Sequence, residues 1–288
     1  MERFDTIASL RSALDSARRA GRSVGVVPTM GALHDGHASL IRAAVEAGHE
    51  TIVTTIFVNP LQFGPKEDLA AYPRDLEGDS ALAVAAGAGL LFTPSAAEMY
   101  PFGPSGVLTS VAVRELTGVL DGLARPGHFD GVSTVVAKLF NITGPCRAYF
   151  GEKDFQQLAV VRRMVADLSF AVDVVGCAIV REANGLAMSS RNRYLSSEQR
   201  SRAAVIQRAL QVGASMVGSG ASGAIACSEM RAVLDAESVV SSIDYVACVD
   251  PTSLQPVDVV TAPVRLLIAC RVGPARLIDN VGAIPPPL

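Results

Sequence analysis

The chain is short of the features that mark several large functional classes. An excess of positive charge is absent: 288 residues carry 25 Lys and Arg against 28 Asp and Glu, a formal net charge of −3. Without a basic footprint, no nucleic-acid partner is expected. No run approaches the ~18 consecutive apolar residues of a membrane span, so no membrane partner is expected either. Met1-Glu2-Arg3-Phe4-Asp5 carries acids and no apolar core, unlike a signal peptide. The five cysteines (Cys146, Cys177, Cys227, Cys248, Cys270) are odd in number and never spaced C-x-x-C. They read as reduced thiols of a cytoplasmic protein, and they exclude a disulfide scaffold or a structural zinc site. No G-x-G-x-x-G follows a strand-like run and no G-x-x-x-x-G-K-[ST] occurs, so neither a dinucleotide fingerprint nor a P-loop is supported.

What is present is a core. Hydrophobic residues make up 49% and charged residues 18%, which argues against disorder. The length exceeds the usual ~100–150 residues of one domain, so two are expected. The first half alternates strand-like runs at 23–27, 51–58, 89–93, 147–150 and 172–180 with helix-like runs at 36–47, 75–86, 130–142 and 155–168. That order predicts βαβ units and a parallel sheet covered on both faces. After about residue 180 the pattern changes. Ser196-Ser197-Glu198-Gln199 reads as a capping box opening a helix, 223–236 as another helix, and 243–249, 264–272 and 276–279 as strands. The fold class is therefore α/β: a Rossmann-like parallel-sheet domain over 1–179 and a smaller α+β domain over 180–288. Arg181-Glu182-Ala183-Asn184-Gly185 forms the polar connector, and the tail Ile284-Pro285-Pro286-Pro287-Leu288 reads as extended.

The most informative stretch is Pro28-Thr29-Met30-Gly31-Ala32-Leu33-His34-Asp35-Gly36-His37. It follows the β-branched run Val24-Gly25-Val26-Val27 and precedes an apolar-periodic segment (Leu40, Ile41, Ala44, Val45), hence strand, glycine turn and helix. Asp35 reads as the N-cap, placing His37 in the first helical turn, where unpaired N–H groups and the positive end of the macrodipole suit an anion. A core histidine pair beside a turn is the plainer description. Against it, two of only four histidines fall within four residues at such a helix start.

In doubly wound sheets ligands bind at the carboxyl ends of strands, and two further unusual segments fall at such ends. Asn59-Pro60-Leu61-Gln62-Phe63-Gly64 follows 51–58, and Gly151-Glu152-Lys153-Asp154-Phe155-Gln156-Gln157 follows 147–150. Lys153 has the reach for a phosphate, although a lone loop lysine is more often merely solvated. Asp154 and Gln157 also suit an ordinary N-cap and its capping-box partner. Met188-Ser189-Ser190-Arg191-Asn192 sets hydroxyl donors before a planar cation, an arrangement fit for a polyphosphate but common in loops. Arg125-Pro126-Gly127-His128-Phe129 combines a cation, a turn and a histidine ahead of a helix. His49 reads as a surface residue before a strand and is assigned no function.

Together these segments resemble the pantoate–β-alanine ligase (pantothenate synthetase) family of the nucleotidylyl-transferase superfamily, with His34-Asp35-Gly36-His37 as the H-x-G-H signature. H-x-G-H alone indicates only the superfamily. The histidine turn, Gln62, the 151–157 segment and the 188–192 segment in this order are specific, with Tyr72-Pro73-Arg74 and Arg125–Phe129 between them. The similarity runs from about residue 20 through Arg276-Leu277-Ile278-Asp279-Asn280, nearly the whole chain.

The resemblance implies a two-step ligase. Pantoate's carboxylate attacks the α-phosphate of ATP to give pantoyl adenylate and pyrophosphate, and β-alanine's amine then gives pantothenate and AMP. It implies His37, His34 and Lys153 as catalytic groups. ATP contacts come from Met30, Gly31, Ala32, Leu33, His34, Asp35, Gly36 and His37, from Gly151, Glu152, Lys153 and Asp154, and from Val180, Met188, Ser189, Ser190 and Arg191. Gln62 and Gln157 match the substrate-binding glutamines for pantoate and β-alanine. Magnesium and a homodimer formed through the N-terminal domain are implied too. The residue types suit the chemistry: adenylation builds negative charge that preorganised donors stabilise, and neutral amides bond pantoate without blunting its nucleophile. Because an acyl adenylate is prone to hydrolysis, water must be excluded, and the loop 63–68 is the lid candidate.

One departure stands out. The family often carries acidic metal ligands after Tyr-Pro-Arg, and here the stretch is Asp75-Leu76-Glu77-Gly78-Asp79. Only Asp79 is retained as a metal ligand, and a helix start explains it equally well; magnesium held mainly by the ATP phosphates is the alternative. Among competing functions, a simple nucleotidyltransferase would share H-x-G-H but leaves Gln62 and Gln157 unexplained. A nucleotide sensor would not need His34, His37, Lys153 and Arg191 together. An aminoacyl-tRNA synthetase fits least, given the acidic balance.

Overall fold

The computed structural model describes residues 1–64, 69–70 and 72–287. Along the chain run β1 (Glu2–Phe4), α1 (Ile7–Arg19), β2 (Val24–Thr29), α2 (Asp35–Glu46), β3 (Thr51–Ile56), α3 (Leu76–Ala86), β4 (Leu90–Phe92), α4 (Ala96–Met99), α5 (Leu120–Ala124) and α6 (His128–Thr143). They are followed by β5 (Cys146–Gly151), α7 (Phe155–Asp167), β6 (Val172–Cys177), α8 (Ser197–Arg202), α9 (Val205–Gly218), α10 (Gly223–Asp235), β7 (Val240–Val249), β8 (Val264–Val272) and β9 (Ala275–Ala283).

The chain divides into two compact units. The first comprises 1–117, 125–152 and 160–178; the second comprises 118–124, 153–159 and 179–288. Lys153 and Gln157 thus group with the second unit, and helix α7 runs through the division.

The first unit holds a six-stranded sheet in the order β1-β4-β3-β2-β5-β6, parallel throughout. Its central strands are buried on both faces and read as nearly unbroken apolar or β-branched runs, Val24–Val27 and Thr51–Thr55. Val27, Ile52 and Tyr149 pack under Ile41 and Ala44 of α2 and Ala83 of α3. Helices α1 and α6 pack against each other, and α6 packs against β2. The strand order reverses between β2 and β5, so the loops leaving their carboxyl ends open at the switch point where doubly wound sheets bind ligands.

The second unit is built on an antiparallel sheet, β7-β8-β9. Leu266, Ile268 and Cys270 of β8 form its core with Ile206 and Leu210 of α9 and Met230 and Leu234 of α10. The capping box is present at α8: Gln199 N–H donates to Ser196 Oγ at 3.2 Å, and Ser196 N–H to Gln199 Oε1 at 3.0 Å.

Several expectations need adjustment. The strand expected at 276–279 extends over Ala275–Ala283, because Asp279 and Asn280 are buried polar members of the ladder that look from sequence like a strand end. The run 172–180 leaves the sheet after Cys177. β1 and α1 lie in a segment given no element. The thiols are free, and burial pushes Cys146 and Cys248 up to about 11 and Cys270 up to about 12. No described helix is long and apolar enough to cross a membrane.

Candidate active site

Strand β2 ends at Thr29, and the chain then turns through two consecutive left-handed residues, Gly31 (φ +82°) and Ala32 (φ +50°). Glycine is required at the first: a Cβ there would lie 2.9 Å from an Asp79 oxygen and 3.0 Å from Ile56 Cγ2. Alanine at positive φ is strained by roughly 1–3 kcal/mol and persists only where neighbours over-determine it. Here the neighbours are explicit. Thr29 Oγ1 accepts from Gly31 N–H at 3.2 Å, and the Asp79 carboxylate accepts from Ala32 N–H at 2.9 Å and Leu33 N–H at 2.6 Å. Asp79 is only 4% exposed.

The helix start differs from the sequence expectation. His34, not Asp35, is the N-cap of α2, and Asp35 is the first helical residue. His34 Nδ1 accepts from Gly36 N–H at 3.1 Å, and His37 Nδ1 accepts from His34 N–H at 3.3 Å. An imidazole caps as an aspartate would, because Nδ1 sits as close to the backbone as a carboxylate oxygen. For a neutral ring, an accepting Nδ1 places the proton on Nε2. The two half-buried rings lie 4.2 Å apart between centroids at the N-terminus of α2. Met30 adds its sulfur, which receives Gln62 Nε2 at 3.0 Å.

Gln62 closes a 3₁₀ turn after β3 and is 7% exposed. Asn59, 1% exposed, fastens that turn. Its Nδ2 donates to Gln62 Oε1 (3.1 Å) and Gly131 O (3.0 Å), and its Oδ1 accepts from Tyr100 O–H (2.8 Å) and Leu61 N–H (3.3 Å). His128 Nδ1–H donates to Gln62 O at 2.8 Å, while its Nε2 accepts from Arg125 Nη1 at 2.9 Å. Through His128, the Arg125–Phe129 segment thus ties down the main-chain oxygen of Gln62. Strand β5 ends at Gly151 and is followed by Glu152; both are part-exposed in the same unit.

In the second unit, Lys153 is part-buried and Nζ lies 3.3 Å from Asp154 Oδ1. Asp154 closes a 3₁₀ turn ahead of α7. The glutamine fixed to backbone is Gln156, 2% exposed, with Oε1 accepting from Asp121 N–H at 2.9 Å and Nε2 donating to Val119 O at 2.8 Å. Among the described residues, the Gln157 amide makes no hydrogen bond to protein, so the capping-box alternative for it finds no partner. Val180 O accepts from Met188 N–H at 2.9 Å. Ser189 caps a 3₁₀ turn through Arg191 N–H, and Ser189, Ser190 and Arg191 are all part-exposed. Of the expected lid, Pro65–Asp68 lie outside the described residues.

A family model for pantoate-beta-alanine ligase matches residues 2–282. The chain belongs to that family. A pantothenate synthetase of Moorella thermoacetica is 49% identical over 284 residues, spanning 98% of each chain, and one of Sphingopyxis alaskensis is 50% identical over 281 residues, spanning 98% of this chain and 99% of the other. The crystal structure of pantothenate synthetase from Thermus thermophilus matches with a TM-score of 0.90 at 50% identity, over 98% of this chain and 99% of that one. A pantoate-beta-alanine ligase from Francisella tularensis, complexed with beta-gamma ATP and beta-alanine, matches with a TM-score of 0.79 at 32% identity, over 98% and 97%.

Within this ligase family member, the metal expectation meets the geometry of Asp79. Both of its oxygens hold backbone of the histidine turn, and among the described residues no group of three His, Cys, Asp or Glu could hold an ion. The Asp79 carboxylate as it stands serves as a clamp on the turn. Gly78, at the departed position, is coupled to the cap of α3: its N–H donates to Asp75 Oδ1 at 2.9 Å, and a Cβ there would run into that carboxylate.

Asn59, Asp79 and Tyr100 hold the Gln62 turn and the histidine turn through contacts that reading the sequence did not anticipate. An Asn-Pro step after a strand was a usable signal for Asn59; nothing local marks Asp79 or Tyr100. His49 is half-buried, with Nε2 2.9 Å from Tyr149 Oη and Nδ1 3.2 Å from Ser23 Oγ, a tie between β2 and β5 remote from the histidine turn in sequence and role.

Proposed function

We propose that this protein condenses pantoate with β-alanine at the expense of ATP, through a pantoyl adenylate. A pantoate carboxylate oxygen bonds to the α-phosphorus while the bond to the β-phosphate oxygen breaks, releasing pyrophosphate. The uncharged amine of β-alanine then bonds to the acyl carbon, AMP leaves with the bridging oxygen, and the amine's surplus proton is lost. The family membership supports the overall reaction, and the observation that carries the site assignment is the double-histidine helix start at the switch point.

In this reading His34 and His37 serve the phosphates at the N-terminus of α2, whose macrodipole favours an anion, and the Met30–Gly36 turn lines the nucleotide. Lys153, Ser189, Ser190 and Arg191 add cations and hydroxyl donors. Gly151, Glu152, Asp154, Val180 and Met188 lie along the nucleotide. Gln62, preorganised by Asn59 and His128, and Gln157, whose amide makes no hydrogen bond among the described residues, bind pantoate. Magnesium enters as the counter-ion of ATP, and no step is routed through it. A homodimer formed through the first unit and a cytoplasmic setting complete the proposal.

The test is AMP release measured with ATP, magnesium, pantoate and β-alanine, omitting each in turn. The reading requires stoichiometric AMP and pantothenate only with the complete set. A dinucleotide product, or ATP binding with no turnover, would replace it by a nucleotidyltransferase or a sensor.

A further inference from the structure

Strand β9 carries two adjacent buried polar residues that the proposed chemistry does not use, Asp279 (3% exposed) and Asn280 (2% exposed). Buried polar groups in a ladder are costly unless fully partnered, and the partners of this pair are informative. Asn280 Nδ2 donates to the main-chain oxygen of Lys153 at 2.9 Å. Asn280 Oδ1 accepts from Arg265 Nε at 2.7 Å, and the Arg265 guanidinium lies 4.2 Å from the Phe155 ring centroid. A rigid strand thus grips the turn of Lys153 at its carbonyl and braces the first residue of α7.

Asp279 reaches the other phosphate-directed segment. Its carboxylate takes Arg181 in a two-point ion pair (2.6 and 3.0 Å) and also accepts from Asn280 N–H at 2.8 Å. Arg181 donates in addition to Gly185 O at 3.1 Å and bridges to Ala187. That hairpin leads directly into Met188, Ser189, Ser190 and Arg191. All of these residues belong to the second unit.

We propose that Asp279 and Asn280 are positioning residues for the ligase reaction. Asn280 fixes the Lys153 turn and Asp279 fixes the approach to Ser189–Arg191, so that two phosphate-binding segments far apart in sequence share one rigid mount. This rests on Lys153 and Arg191 acting on ATP as proposed above. The physical ground is that donors aimed at developing charge must be held within a fraction of an ångström, and a displacement of about 1 Å can cost ~100-fold in rate.

The test is a pair of double-mutant cycles on the full chain, read as steady-state kcat and KM. Asn280→Ala is expected to lower kcat by about 10–100-fold with little change in the KM for pantoate. Asn280→Asp, which keeps the volume and the acceptor for Arg265 but loses the donor to Lys153 O, is expected to do the same. In a Lys153→Ala background either change should cost less than about twofold more, because the lysine it positions is gone. Asp279→Asn against Arg191→Ala should behave likewise. Full additivity in both cycles, with losses tracking the denaturant midpoint, would overturn the proposal and leave the pair as a purely structural lock. Turnover unaffected by Lys153→Ala would instead remove the catalytic reading of that lysine, and its tether with it.

Discussion

His37 and Lys153 carry the sharpest residue-level expectations. His37→Ala removes one Nε2–H donor and the acceptor for His34 N–H, and Lys153→Ala removes a cation. Each should lower kcat by roughly 10²–10³, the scale for one preorganised transition-state donor, with circular dichroism unchanged. Near-normal turnover of Lys153→Ala would make that lysine a solvated loop residue. Asp79 separates two roles cleanly. As the clamp of a strained turn, Asp79→Asn leaves one buried N–H facing an amide donor, which should cost about 1–3 kcal/mol of stability and raise the KM for ATP. The dependence on magnesium at fixed ATP should keep its midpoint; a shifted magnesium midpoint with unaltered stability would restore the metal-ligand role. For Gln62 and Gln157, deoxy-pantoate should be a very poor substrate, by up to ~10⁴–10⁵ where a site is built around a hydroxyl. Gln62→Ala or Gln157→Ala should erode that discrimination while ATP binding persists, and comparing kcat/KM for the two acids decides it. The segments proposed to contact substrates stand out in the sequence because they cluster at strand ends. The contacts of Asp79 and Tyr100 were not legible there, since each touches a residue 41–47 positions away and nothing in local pattern encodes that contact.

At the scale of elements, periodicity and capping chemistry locate most helices and strands of the first unit to within a few residues. The misses share a cause: tertiary context overruled the local pattern. A histidine supplied the cap of α2 in place of its aspartate neighbour, β9 continued through a polar pair because that pair is internally satisfied, and β1 gained its place only by pairing with β4. The tie between β2 and β5 gives a pH prediction. Burial, then the neighbouring Arg147 charge, lowers the pKa of His49 below its ordinary 6.5. Between the folded and unfolded values the unfolded chain binds more protons, so this contribution to stability is present above about pH 6.5 and is lost as pH falls through the lowered value. His49→Gln should flatten the pH dependence of the denaturant midpoint between about pH 7 and 5 without altering turnover. A slope as steep as in the parent protein would assign it to other groups.

For the whole molecule, the family match over residues 2–282 takes in both the parallel-sheet unit and the antiparallel unit. The central claim is that adenylation is a step of its own, complete before β-alanine takes part. Isotope exchange between labelled pyrophosphate and ATP tests it most directly. Pantoate alone should support exchange, accompanied in a single turnover by an acid-trapped pantoyl adenylate, and omission of β-alanine should not suppress either. Exchange and adenylate that both appear only when β-alanine is present would contradict the account.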